Sequence, residues 1–494
     1  MTKTKKWSII RTTLGREQEI QEADGAVSDC PPDDFRHEWK VKEIFNSMGY
    51  YEAINMIFGI IYIVFSLIMV HFIVFGIVGL FHRKRYLKTD RINRYGVIIP
   101  ARNEENVIAG LIESVQKNNY PQAKLQIFVI AHNCTDRTAE IARSMGATVY
   151  EYNNPEENTM GYAFRHLFSC IERDYGTQNY DGFFLFNADN VLDQNYFSRM
   201  NDAFEYYDKR YVITSYRNSK NFGSNLLSGL YGIYFLTGCR MESCGRTALG
   251  CSTRVQGTGY VINSNLVKNG WDYVSLTEDW EFSADQVLMN NRIRYCDDAI
   301  FYDEQPTSFR IMWRQRVRWS RGHLLVFCAR AKDLLRSLFS REVRHKYSLY
   351  DLTTNMIPSS LIWFALFLLQ LVLLLITPLV SPGVSFQEIF LRMGDSFWNP
   401  AGLLWIWLRN ALFSTVILMI SAAVIFVTER KRIKNVSLGK KILVSLFWPL
   451  FLAIQLPMDI QALFSKNLGW KPIPHADKTT FDKVNEGFAD EEAI

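Results

Sequence analysis

Two short stretches of this chain gather side chains that can handle protons and phosphates. Thr277, Glu278 and Asp279 stand in a row, and Gln315, Arg318 and Trp319 follow within WRQRVRWSRG. A carboxylate takes a proton from a hydroxyl, a guanidinium is a fixed cation that forks onto phosphate oxygens, and an indole offers a flat apolar face to a sugar ring. Gln315, Arg318 and Trp319 are spaced so that one face of a helix carries all three. Taken alone, Thr277 followed by two acids is also an ordinary helix start, with Thr277 as the cap and the acids complementing the helix dipole.

Both stretches lie between long apolar segments. Of 494 residues, 48% are hydrophobic and 14% aromatic, gathered in blocks, as in an integral membrane protein with a soluble insert. Residues 53–81 carry no Asp, Glu, Lys or Arg and would be about 43 Å long as a helix, one tilted span. The cations Arg83, Lys84, Arg85, Lys88 and Arg91 place its C-terminal end in the cytosol. Residues 355–380 and 403–427 predict further spans, and Arg430, Lys431, Arg432 and Lys434 again mark the inside. The apolar stretch 442–464 holds Pro449, Gln455, Pro457 and Asp459, which predicts a broken, re-entrant or interfacial helix. Residues 306–345 are expected to be interfacial helices and 465–494 a cytosolic tail. Residues 1–52, with the Pro31-Pro32 break, predict an interfacial or flexible segment, and no secretory leader is expected.

The net charge of +5 is small for this length, and the Lys and Arg flank apolar blocks. Anionic lipid headgroups explain that placement better than nucleic acid does. The eight cysteines form no C-x-x-C pair and are expected to be reduced packing residues.

Between the spans, residues 95–305 alternate short apolar runs with amphipathic stretches. GVIIP (96–100), LQIFVIA (125–131), ATVYEY (147–152), DGFFLFNAD (181–189) and YVITSY (211–216) read as strands, with helices near 105–118, 137–145 and 194–207. That pattern predicts an α/β domain with a mostly parallel sheet and helices on both faces. Ligands bind such sheets at the carboxyl ends of the strands.

The T-E-D and Q-x-x-R-W stretches, in this order and between membrane segments, resemble the membrane-bound processive glycosyltransferases of family 2, the group of cellulose, chitin and hyaluronan synthases. The resemblance implies a GT-A type α/β domain at 95–305 combined with a transmembrane helical domain. It implies an enzyme, an inverting UDP-sugar-dependent hexosyltransferase of the plasma membrane with a cytosolic catalytic domain. Asp279 would be the base, with Glu278 and Thr277 beside it. PARNE, ending β-strand one, is similar to the family's P-x-x-N-E and assigns Glu104 to the donor; HNCTD is similar to D-D-x-S-T-D and assigns Asp136. Asn187-Ala188-Asp189 stands where relatives have D-x-D, so Asp189 would hold Mg²⁺ or Mn²⁺ and Asn187 keeps an oxygen without the charge. Met160 stands where relatives often carry a lysine. Gln315 and Arg318 would take the donor diphosphate. Trp319 and Gly257-Thr258-Gly259 would face the acceptor.

The implied function is extension of a β-linked polysaccharide from a UDP-sugar, with passage of the polymer through the chain's own helices among membrane lipids. Glucose is the first choice of sugar. A UDP-N-acetylglucosamine-using synthase, a single addition to a lipid acceptor and a non-catalytic scaffold are the alternatives. No cyclic-di-GMP-binding PilZ module is expected after residue 465.

Overall fold

The computed structural model describes residues 49–381, 383–394, 403–434, 436–465, 475, 477 and 479–486. The expectations for the N-terminal segment up to residue 48, for Cys30 and for most of the tail lie outside the described residues. Two compact units are present. In the smaller, which takes residues up to Tyr62 and Phe367–Asp395, Gln370 accepts a hydrogen bond from the Tyr62 hydroxyl at 2.9 Å and donates to Asn55 at 3.0 Å. The helices α1 (Tyr50–Met69) and α2 (His71–Phe81) follow one another in an apolar stretch of 32 residues, long enough to cross a membrane.

The larger unit is organised by one eight-stranded sheet. Its strands are β1 (Tyr95–Ala101), β2 (Leu125–His132), β3 (Thr148–Tyr152), β4 (Gly182–Leu185), β5 (Val191–Leu192), β6 (Val212–Ser219), β7 (Tyr260–Asn263) and β8 (Ile293–Asp303), in the order β3-β2-β1-β4-β7-β6-β8-β5. β1 pairs parallel with β2 and β4, as do β2 with β3 and β6 with β8. β7 runs antiparallel to β4 and β6, and β5 to β8. The sheet is therefore mixed: a parallel nucleus at β1–β4 continues into strands of both directions.

Every residue of β1 is buried, because helices cover both faces of the sheet. Successive side chains of a strand point to opposite faces. Val97 and Ile99 accordingly join the core beneath α3 (Ile108–Gln116), α4 (Thr138–Ser144) and α6 (Tyr196–Tyr206), whereas Ile98 joins the core beneath α5 (Met160–Asp174). α5 is a helix beyond those read from sequence; Phe164, Leu167, Phe168 and Ile171 lie along its buried face at helical spacing. α7 (Leu226–Thr237) packs in a third cluster with residues of the apolar helices nearer the C-terminus.

Further helices include α8 (Glu278–Leu288), α9 (Phe309–Phe339), α10 (Lys346–Met356), α11 (Ser359–Leu375), α12 (Leu403–Thr428), α13 (Leu438–Ala453) and α14 (Gln455–Phe464). Trp407–Thr428 and Leu438–Phe464 are long and apolar enough to cross a membrane, and α10 with α11 forms a pair bent by 60°. Pro358 lies at that bend. The polar groups foreseen in 442–464 are all satisfied: Gln455 accepts from Arg316 and donates to Ser320 and Asp459, and Asp459 accepts from Ser360.

β8 was not among the strands read from sequence, since Asp297 and Asp298 interrupt its apolar run. The pairing with β6 jumps from Ser215↔Cys296 to Tyr216↔Ile300, so those acids sit in a bulge, which re-aims side chains out of the ladder. Asp297 then meets Arg432, just after α12, at 2.9 Å and Arg83, just after α2, at 3.5 Å. Glu429 joins the cluster through Arg83 at 2.8 Å, Arg240 at 3.3 Å and the Tyr216 hydroxyl at 2.9 Å. A charge left unpaired in such a place costs several kcal/mol. Glu429→Ala strands the buried Arg240; a loss of about 3–5 kcal/mol is expected, read as a lowered melting temperature of the detergent-purified chain.

Candidate active site

A cavity of about 390 Å³ opens where the sheet end, α8 and α9 meet. One wall holds Thr277, Glu278 and Asp279 from the start of α8; Gln315, Arg318, Trp319 and His323 face it from α9. Glu104, Asn187 and Asp189 line the sheet end, and Leu418, Trp448 and Leu452 of α12 and α13 line the opposite end. Ten of the thirteen residues read as site candidates are thus close enough to act on one bound molecule or pair.

Thr277 makes no helix-capping hydrogen bond, and its buried Oγ1 has no partner. Its methyl and hydroxyl instead pack on Gly322 of α9, where a Cβ would run into them. The T-E-D residues are therefore held by contact with the neighbouring helix, not by the ordinary cap. Asp279 accepts the Trp280 N–H at 2.9 Å, and Arg318 donates to the Leu276 carbonyl at 2.9 Å, one residue before the motif. Gly257, at φ 76°, brings its backbone so near that a Cβ there would stand 3.6 Å from Asp279 Oδ2.

Burial raises the pKa of both acids. For Glu278 the neighbouring Asp279 adds to the rise; for Asp279 the Trp280 N–H, Arg254 and Arg318 oppose it. The pair keeps a proton to higher pH than exposed acids would, and the charge that remains is favoured on Asp279, between two guanidinium groups. His323, half-buried with its ring 4.4 Å from that of Trp280, is pushed down to about 3 by desolvation, Arg254 and Arg318, and stays neutral.

On α9, Gln315 accepts from the Tyr231 hydroxyl at 3.0 Å. The Trp319 ring stands edge-on to Tyr231 and Phe235, 6.4 Å from each. Between these cavity residues, Arg316 points the other way: it donates to the Phe451 carbonyl and Gln455 at 3.0 and 2.9 Å, tying α9 to α13 and α14.

At the sheet end the candidates divide. Asp189 is buried and accepts the Glu304 N–H at 3.1 Å. Asn187 donates its backbone N–H to Thr258 Oγ1, and its side-chain Oδ1 is buried without a partner. Thr258 in turn donates to Asn190, and Asn190 to Asp303. Of the Gly257-Thr258-Gly259 motif only Gly257 lines the cavity; Thr258 locks the Asn187 turn, and Gly259 lies against Phe301. Asp136 does not line the cavity: its carboxylate accepts from Thr138 and from the Glu105 N–H, so it holds two loops together.

Sequence reasoning missed His475. It reaches into the cavity from the tail, donating from Nδ1 to Glu104 at 2.8 Å with Nε2 3.9 Å from Asp189. Burial works against charge on this imidazole, but Asp189 and Glu104 outweigh it and hold its pKa up to about 10. Glu104 therefore contacts the tail. Also missed were Arg254, which reaches Glu242 at 2.9 Å and stacks 4.8 Å over Trp280, and Asp303 and Glu304 at the end of β8. The signal for the last two was their position at a strand's carboxyl end, had β8 been recognised. The seven described cysteines are free, and among the described residues no three His, Cys, Asp or Glu converge on a ready-made cation cage.

Residues 93–322 match the family model described as "Glycosyltransferase like family 2". Over this stretch, a little under half of the chain, the sequence is similar to family 2 glycosyltransferase domains. It has the GT-A-like mixed sheet with flanking helices. The chain is 26% identical over 240 residues to the probable glycosyltransferase YdaM of Bacillus subtilis, covering 47% of this chain and 56% of that relative's length. It is 25% identical over 295 residues to a poly-beta-1,6-N-acetyl-D-glucosamine synthase of Staphylococcus aureus, covering 59% of this chain and 67% of that one. Among solved structures it is similar to the mannosyltransferase PcManGT of Pyrobaculum calidifontis in complex with GDP-Man and Mn²⁺, with a TM-score of 0.48 and 11% identity over 71% of this chain and 92% of that one.

The contact between Thr277 and Gly322 gives a test of the glycosyltransferase domain. Gly322→Ala displaces the start of α8 against α9, and turnover by the domain is expected to fall on the order of 100-fold, the usual cost of an ångström's misplacement. Unchanged turnover in a donor-hydrolysis or transfer assay would show that this packing does not set the position of Asp279.

Proposed function

We propose that the chain is an inverting, membrane-embedded β-hexosyltransferase that extends a polysaccharide from a UDP-sugar and passes the product along its own helices. The observation that carries this reading is one cavity holding Asp279, Arg318 and Trp319 and running on to Leu418, Trp448 and Leu452 of the apolar helices. N-acetylglucosamine is the donor sugar we favour over glucose, on the strength of the named product of the Staphylococcus aureus relative. The catalytic domain and both cation-rich loops, after residue 81 and after residue 428, lie on the cytosolic side in this reading.

Asp279 takes the proton of the acceptor hydroxyl while that oxygen attacks the anomeric carbon from the face opposite the diphosphate. The bond from that carbon to the diphosphate oxygen breaks, the configuration inverts, and UDP leaves with the electron pair. Arg318, held by the Leu276 carbonyl, forms charge-assisted hydrogen bonds to the departing diphosphate. Trp319 stacks on the acceptor ring. Glu278, kept protonated by burial and by Asp279, leaves the negative charge to the base. A divalent ion fits the sheet end, where the carboxylate of Asp189 and the unpartnered Oδ1 of Asn187 would hold it; when bound, it neutralises the diphosphate.

The apolar lining at Leu418, Trp448 and Leu452 also suits a lipid acceptor receiving a single sugar, the second reading. Incubation of the purified chain with Mg²⁺ or Mn²⁺ and each UDP-sugar in turn, following UDP release and product size, separates the two. A high-molecular-weight, glycosidase-sensitive product from one donor supports the synthase, a small solvent-extractable product the lipid transferase, and no release from any donor a non-catalytic scaffold. Asp279→Asn is expected to abolish transfer and spare UDP binding. Because burial raises the pKa of the Glu278–Asp279 pair, kcat/KM is expected to fall with decreasing pH in a range above the ~4 of ordinary carboxylates. A limb at or below that value would remove the pair as the titrating base.

A further inference from the structure

We propose that His323 sets the specificity of transfer by hydrogen-bonding a hydroxyl of the acceptor sugar beside Asp279. In the function proposed above, on which this assignment rests, Trp319 stacks on the acceptor ring and Asp279 takes the proton of the attacking hydroxyl. His323 lines the cavity one helical turn beyond Trp319 on α9. Residues four apart on a helix stand about 6 Å apart on one face, so a sugar ring stacked on the indole reaches the imidazole with one of its substituents. The preceding residue, Gly322, packs against Thr277 at the start of α8. His323 is thereby held against the same wall as Asp279.

Packing, not hydrogen bonding, fixes the ring. Its centroid lies 4.4 Å from that of Trp280 with the two planes 63° apart, and the Arg254 guanidinium stands 4.8 Å over the same indole. Glu242 in turn accepts from Arg254 at 2.9 Å. Neither nitrogen of His323 has a partner among the described residues, and neither is sealed from the cavity, in contrast to Thr277 Oγ1. Desolvation, Arg254 and Arg318 oppose a charge on the imidazole. It is a poor resting place for the proton that Asp279 takes up, and the neutral ring offers one N–H and one lone pair to whatever the cavity holds.

The groups around it have other uses. Asp279 suits a proton, and Arg254 and Arg318 suit anions, whereas the hydroxyl of an uncharged sugar is served by a neutral partner that can donate or accept. An acceptor that lacks this hydroxyl, or carries it in the other configuration, leaves the imidazole unpaired when the ring fills the cavity, a loss of about tenfold. Because the contact and Asp279 engage two hydroxyls of the same ring, their spacing restricts which hydroxyl is attacked from and hence which linkage forms.

The test uses the full chain in detergent with Mn²⁺, UDP-N-acetylglucosamine or UDP-glucose, and a panel of short β-linked N-acetylglucosamine and glucose oligosaccharides. Transfer to the best acceptor is compared with transfer to its monodeoxy analogues. In the wild-type chain, removal of one particular hydroxyl is expected to raise the acceptor KM about tenfold. His323→Ala should raise the KM of the parent acceptor by a similar factor and erase its advantage over that one analogue, so that the two losses do not add. His323→Phe keeps a ring against Trp280 without a nitrogen and should behave like His323→Ala; His323→Gln keeps a donor and an acceptor and should regain most of the affinity. UDP binding by each variant reports that it is folded. Rescue by Phe and not by Gln would assign His323 to packing alone and overturn the proposal, as would additivity with every monodeoxy acceptor; in both cases the transferase reading stands. A wild-type chain that releases no UDP, or that elongates no saccharide of the panel, would overturn that reading and this proposal together.

Discussion

Two buried carboxylates, Asp297 and Glu429, govern how the sheet meets the apolar helices. Neither can be left without a cation, because hiding an uncompensated charge costs more than most single contacts in the molecule return. Each is met by arginines from separate places in the chain: Arg83 beyond α2, Arg240 beyond α7 and Arg432 beyond α12. The ends of two apolar segments are thereby fixed to one bulge of β8. With that bulge in place, the last residues of β8 deliver Asp303 and Glu304 to the cavity floor.

The chemistry of the site follows from the same physics turned to a different end. Glu278 and Asp279 are adjacent, the first buried and the second half-buried, and only partly compensated, so they resist carrying two charges at once. Arg254 and Arg318 select which of the two keeps its charge. Arg318 cannot swing freely toward them, since the Leu276 carbonyl holds it.

Much of this was legible in the sequence where local signals agree with the tertiary structure. Strands β1 and β2 are near-continuous apolar runs, so their burial on both faces could be read directly, and T-E-D and Q-x-x-R-W do face each other across one cavity. The failures have particular causes. β8 hid behind Asp297 and Asp298, whose charge argues against a buried strand unless the bulge and the arginines after α2 and α12 are known. α5 begins at Met160 and hides its apolar face among Arg165, His166 and Arg173. Asp136 sits in a motif-like turn yet caps its own loop, because a side chain two residues from a helix start has a nearer use than a ligand. His475 had no local signal at all: a single histidine in KPIPHADK acquires meaning only once the tail is seen against Glu104 and Asp189.

The helix α9 carries two functions on alternate faces of the same turns. Gln315, Arg318 and Trp319 look into the cavity, while Arg316 looks at α13 and α14. One residue advances a helix by about 100°. A single inserted amino acid between Trp313 and Gln315 would therefore turn the faces, moving Gln315 into the place of Arg316 beside Phe451, moving Arg318 into the place of Trp319, and leaving Gln455 without its donor. The spacing of these residues along α9 keeps both faces in register.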